Sequence, residues 1–182
     1  QKFNWGWQQG IKYANENLGT NIEMHPEDFV YQGTFSDIAA GQQIAASMFD
    51  RGVTCIHAAA GGVGVGVINE AKARRQVGKE IWVVGVDVNQ YNEGLLPDGK
   101  SVILTSAMKY VDRASYDMVK DELDGKFQGG STLVLTAKED AVGIPPENPN
   151  LSSDVQKQVM DIYAQIKSGA IVISDKQGDL FR

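Results

Sequence analysis

Basic runs, paired cysteines and long apolar windows are all missing from this chain, and each absence removes a class of function. Lysine and arginine number 17 against 23 acidic residues, giving a formal net charge of −6 with the two signs interspersed. Neutralising nucleic-acid phosphates requires a basic stripe, so nucleic acid is not an expected partner. The single cysteine, Cys55, excludes an intrachain disulfide and leaves the compartment open. Set in the apolar run Val53–His57, it reads as a small buried hydrophobe. The two histidines, His25 and His57, lie far apart with no flanking ligand pattern, so no metal site is expected. No window carries about eighteen consecutive apolar residues, the length a membrane-spanning helix needs. No Gly-x-Ser-x-Gly, Cys/His pair or spaced carboxylate dyad marks a catalytic centre. The chain also lacks an initiating methionine and a signal peptide. It opens at Gln1 inside a helical pattern, which leads us to expect a start lost to processing or truncation.

What is present is an alternation of short apolar strands and amphipathic helices, the mark of a parallel sheet covered by helices on both faces. With 182 residues the chain allows one large domain or two small lobes. Residues 3–17 read as a helix with Phe3, Trp7, Ile11 and Ala14 on one stripe. A strand is expected at 28–32, then a helix capped by Ser36 or Asp37 and running to about Arg51. Ile38, Gly41, Ile44, Ala45, Met48 and Phe49 would face inward there. Strands follow at 53–58, 81–86 and 102–105, the second apolar enough to be buried on both sides. They are separated by a helix ending near Gln76 and a polar loop over 92–99. Beyond them, 110–123 and the stripe Leu151, Val155, Val159, Ile162 and Ile166 read as helices. Short strands are expected at 132–135, 141–144 and 171–173. The helices after Lys109 have too few strands of their own and need another sheet to cover.

The most informative stretch is Ala58-Ala59-Ala60-Gly61-Gly62-Val63-Gly64-Val65-Gly66, between a strand and a helix. Glycines without Cβ let the backbone turn tightly and lie close against a neighbour. A strand-end loop of this kind stands at the carboxyl edge of the sheet, where open α/β folds bind ligands. No placement gives G-x-G-x-x-G, because the third position falls on Val67 or Asn69, and no Gly-Lys-Ser/Thr follows. A nucleotide-phosphate cradle is therefore disfavoured and no cofactor is expected. A ligand-facing loop and close helix–strand packing both remain open.

Asp87 ends the most apolar strand beside this loop. An ionised carboxylate only accepts hydrogen bonds, which suits the vicinal hydroxyls of a sugar; capping the following turn is the alternative. Asp37, again between a strand and a helix, is a further ligand candidate, with an N-cap as the alternative that would fully explain it. Phe35 would either stack on a planar ring or staple into the core. Lys109 follows another strand, as a ligand donor or as an ordinary surface lysine.

Four ordered motifs carry a resemblance: Phe35-Ser36-Asp37 with Gly41; Ala59-Ala60-Gly61-Gly62-Val63-Gly64; Gly85-Val86-Asp87-Val88-Asn89-Gln90; and Leu104 through Asp112. Together they resemble the basic membrane protein family of bacterial lipoproteins, purine-nucleoside-binding components of ATP-binding-cassette importers. Phe3 to Gly10 is similar to the same family's opening segment. The resemblance implies a type I periplasmic-binding-protein-like α/β fold, two lobes joined by three crossovers and closing on a ligand. It implies that Asp87 binds ribose hydroxyls, that Lys109 near a crossover reaches the sugar, and that Gly61 and Gly62 let the loop approach the nucleoside. Residues 1–104 would form the second α/β lobe without its first strand. Residues 105–182 would hold a crossover and the elements that pack on an amino-terminal lobe missing from this chain. That lobe would supply most contacts to the base and the lipidated cysteine, which Cys55 in mid-strand cannot be. The protein would be extracytoplasmic, lipid-anchored to the cell membrane or periplasmic, with an importer permease as partner.

A sugar or autoinducer receptor of the same fold would keep the strand-end aspartate but need polar groups around a ring. A ligand sensor not coupled to transport would share the whole cleft. A flavodoxin-like or nucleoside-processing enzyme would need a nucleophile, metal or acid–base pair.

Overall fold

A computed structural model describes residues 1–181. The elements follow one another as α1 (Lys2–Asn17), α2 (Ile38–Asp50), β1 (Cys55–His57), α3 (Val63–Gln76), β2 (Trp82–Asp87), β3 (Ile103–Lys109), α4 (Val111–Leu123), β4 (Val142–Gly143) and α5 (Ser153–Ser168). The sheet order is β1-β2-β3-β4, parallel except for the antiparallel β3–β4 pair. It is the expected mixed α/β arrangement, with a mainly parallel sheet flanked by helices.

The core lies between this sheet and α2 and α3. Val83 and Ile103 from the strands, with Val102 just before β3, meet Ala45, Phe49, Val67, Ile68 and Ala71 from the helices, all buried. The α2–α3 contact is closer than side chains would allow. A Cβ at Gly66 would overlap the carbonyl of Ile38 and the amide of Gln42, and one at Gly41 would overlap the carbonyl of Val63. Ile38, expected to face inward, is instead 45% exposed, because the first turn of α2 meets Gly66 through its backbone. The lone cysteine behaves as a hydrophobe: burial pushes the Cys55 thiol up to about 11.

Several strand expectations are not met. Residues 28–32 join no ladder. Pro26–Asp28 form a 3-10 turn, the Asp28 carboxylate turns to Arg51 at 2.6 Å, and Phe29 packs on Phe181. Residues 132–135 are also unpaired, with Leu133 and Val134 exposed. The segment 141–144 contributes only Val142–Gly143, and β3 runs four residues past the expected Thr105. Within 92–99 a 3-10 turn reaches Gly94 and Leu95 bridges Ser101.

The segment 171–173 forms no strand either, because side chains rather than a neighbouring strand hold the tail. Gln9 donates to the Ser174 carbonyl and accepts from its amide. Gln8, 1% exposed, does the same for Phe181 at 2.9 and 2.7 Å. Each glutamine amide thus completes a two-bond pair with backbone, as a strand would. Removing one partner of such a buried pair costs about 1–3 kcal/mol. Gln8→Ala is therefore expected to lower the urea midpoint without changing the slope of the transition, and an unchanged midpoint would show that the tail is not anchored this way.

Candidate functional site at the strand ends

Three neighbouring strands end in polar side chains at one edge of the sheet: His57 on β1, Asp87 on β2 and Lys109 on β3. The Lys109 ammonium lies 2.9 Å from the Asp87 carboxylate, both side chains about half exposed. It also stands over the Phe3 ring, 4.7 Å from the centroid. A cation so placed is attracted by the ring's negative face. The pair is thus held from two sides and remains open to solvent, which an internal structural ion pair would not be.

Asp87 adopts φ 68°, in the left-handed region where a side chain is disfavoured. Across it, the Val88 amide donates to the Val86 carbonyl at 2.8 Å. That closes a three-residue turn, a strained conformation when the central φ is positive. Such strain costs of order 1–3 kcal/mol and concentrates at ligand sites and switches.

The glycine loop stands at the adjacent strand end. Gly61 has φ 56°, and the Gly62 amide donates to the Phe35 carbonyl at 2.8 Å. A Cβ at Gly62 would sit 3.0 Å from that same oxygen. These two glycines therefore let the loop around Phe35 lie directly on the loop after β1. Gly64 and Gly66 belong to α3 and serve packing, against Ala58 and against the backbone of α2 respectively. Phe35 itself is 73% exposed and does not staple into the core. Asp37 caps α2, accepting from the Ala40 amide at 3.0 Å.

Two aromatic neighbours and a histidine belong here although their sequence pattern pointed elsewhere. Trp7 stacks on the His57 ring, centroids 5.3 Å apart, and Phe3 tilts against it at 6.0 Å. Phe3 and Trp7, four apart on α1, cover a strand end with the stripe expected to face the core. The His57 Nδ1 lies 3.2 Å from the Val84 carbonyl. A carbonyl only accepts, so Nδ1 carries the proton and Nε2 is left as an acceptor. Among the described residues no group of His, Cys, Asp and Glu is arranged to hold a metal ion.

Burial holds His57 below its ordinary value of 6.5, against the smaller opposing effect of the Val84 carbonyl. The unfolded chain therefore takes up the proton first as pH falls. Stability from this group is complete above 6.5 and declines below it until the folded ring also titrates. Urea midpoints between about pH 8 and pH 5 should fall more steeply for the parent protein than for His57→Phe, and identical slopes would remove His57 from this account.

Known proteins share the fold and the family-level sequence pattern. A solved ABC transporter solute-binding protein from Aeropyrum pernix K1 superposes with a TM-score of 0.77 at 26% identity, over 97% of this chain and 55% of that one. The fold is therefore the one seen in ABC solute-binding proteins. More narrowly, the chain belongs to the Bmp family of PnrA-like ABC transporter substrate-binding proteins, which matches residues 1–177. A CD4+ T-cell-stimulating antigen of Listeria monocytogenes is 36% identical over 181 residues, 96% of this chain and 49% of that protein. The ABC transporter nucleoside-binding protein BmpA of Lactococcus lactis is 32% identical over 182 residues, with 96% and 49% covered. The chain therefore spans about half the length of these relatives. No helix among the described residues is long and apolar enough to cross a membrane.

Proposed function

We propose that this chain is the carboxyl-terminal half of a two-lobe solute-binding protein that captures purine nucleosides for an ABC importer. The observation that carries the reading is the open Asp87–Lys109 pair at the strand ends. The carboxylate accepts from the 2′ and 3′ hydroxyls of a ribose, and the ammonium donates to a sugar oxygen while balancing the charge. Gly61 and Gly62 bring the loop close enough for backbone contact, and exposed Phe35 offers a ring face to the base. Asp37 is left to its capping role. The name of the Lactococcus lactis relative supports a nucleoside as ligand.

Residues 105–182 pack, in this reading, on a first lobe outside the chain. Val111, Val119 and Leu123 on α4 and Val155 and Met160 on α5 are exposed, and neither helix buries a single residue. An apolar face of that extent calls for a partner surface. Closure of the two lobes on the ligand gives the permease a bound form to recognise. The protein binds and releases without catalysis, outside the cytoplasm, anchored by lipid or free in a periplasm.

The test is calorimetric titration of the full-length protein with inosine, guanosine and adenosine, and with ribose and other sugars. Binding of a nucleoside with no nucleoside turnover is expected. A response to sugars alone would replace the ligand and keep the fold, and turnover would make the protein an enzyme.

A further inference from the structure

The strained turn at Asp87 is held by a set of contacts that no ligand role explains. Val84 and Val86 turn their backbone groups to the same side of β2, and Val84 is the last residue there with a β1 partner. The Val86 amide would be orphaned where β1 leaves the sheet. The Gln90 side chain takes its place, accepting from that amide at 2.9 Å. Its Nε2 donates to Glu93 at 2.8 Å, which fixes the orientation of the amide group. The Gln90 backbone amide donates to the hydroxyl of fully buried Ser106 on β3 at 3.1 Å. Gly85 makes the room: a Cβ there would lie 2.6 Å from the Ser106 hydroxyl and 2.7 Å from the Gln90 carboxamide oxygen.

We propose that Gln90, seated over Gly85 and locked by Ser106 and Glu93, is a positioning residue that holds Asp87 in its left-handed turn with the carboxylate towards Lys109 and the ligand. The inference rests on the reading of Asp87 as a ligand residue. Physically, the clamp joins both ends of the turn. Val86 before Asp87 and residue 90 after it are fixed to each other and to β3, so the chain between them has little freedom to relax. Without the clamp the backbone at Asp87 escapes to negative φ, and the carboxylate leaves the strand-end direction.

The experiment uses full-length protein and a nucleoside that binds the parent. Gln90→Met keeps the length of the side chain and removes its hydrogen bonds. It is expected to weaken binding roughly tenfold, about the value of one well-placed hydrogen bond. In an Asp87→Ala background the same substitution should cause no further loss, because the group it positions is gone. Gln90→Glu combined with Glu93→Gln exchanges donor and acceptor, keeps the bond to Val86, and should restore affinity to within about threefold. Parent-like binding by Gln90→Met overturns the inference. So does an equal loss in the Asp87→Ala background, or no recovery in the exchanged pair, because either would mark a merely structural contact. If Asp87→Ala itself binds as the parent does, the reading of the site fails first, and the clamp's ligand role falls with it.

Discussion

Asp87→Ala in the full-length protein is expected to weaken nucleoside binding by roughly ten- to a hundredfold, because a hydrogen bond to a charged group is worth about 1.5–3 kcal/mol. Two features of the turn bear on the size. Losing the carboxylate frees the Lys109 ammonium from its 2.9 Å partner, leaving a charge that the ligand alone must satisfy. Alanine keeps the left-handed backbone strain, so no relief of φ 68° offsets the loss. The exposed ion pair itself contributes little to folding, about 0–1 kcal/mol. The variant should therefore lose affinity with its melting temperature nearly unchanged. Calorimetry and thermal denaturation on the same preparation separate the two, and unchanged affinity would remove Asp87 from the site.

Gly66→Ala is expected to damage the fold more than the site. In an isolated helix the change would help, by about 1 kcal/mol of helix propensity. Here the added Cβ would overlap backbone of α2, at the Ile38 carbonyl and the Gln42 amide. Backbone cannot rotate away as a side chain can, so α2 has to shift across the core it shares with Phe49, Val67 and Ile68. Overpacking of this kind costs roughly 1–3 kcal/mol and sometimes more. We expect the upper end, about 3 kcal/mol, which for a domain of this size lowers Tm by roughly 6–12 °C. A variant as stable as the parent would mean that α2 and α3 do not meet through this glycine.

The alternation of elements was legible because buried strands and amphipathic helices differ in period. The run Ile81–Val86 and the stripe of α2 were read from residue type alone. Three strand expectations failed where apolar residues were present but no strand among the described residues pairs with them: 28–32, 132–135 and 171–173. Pairing is a property of the partner, which local pattern does not contain. The tail shows this most clearly, since Gln8 and Gln9 perform the pairing across more than 160 residues. At the site, Asp87 and Lys109 were visible as polar residues closing apolar strands. Their mutual contact, and the turn that forces Asp87 to positive φ, required the register of β2 against β3. Phe3, Trp7 and His57 were obscured because a stripe that covers a strand end has the same spacing as one that faces a core. Gly85, with Gln90 five residues on, was present in the resemblance as a motif, and only the space above the glycine shows why the two occur together.

The most direct measurement compares guanosine with 2′,3′-dideoxyguanosine, by calorimetry on the full-length protein and on its Asp87→Ala variant. The expected result is that the parent binds the dideoxy analogue roughly ten- to a hundredfold more weakly, and that Asp87→Ala scarcely distinguishes the two. Equal binding of both ligands by the parent protein would contradict it, because the ribose diol would then have no partner at the strand ends.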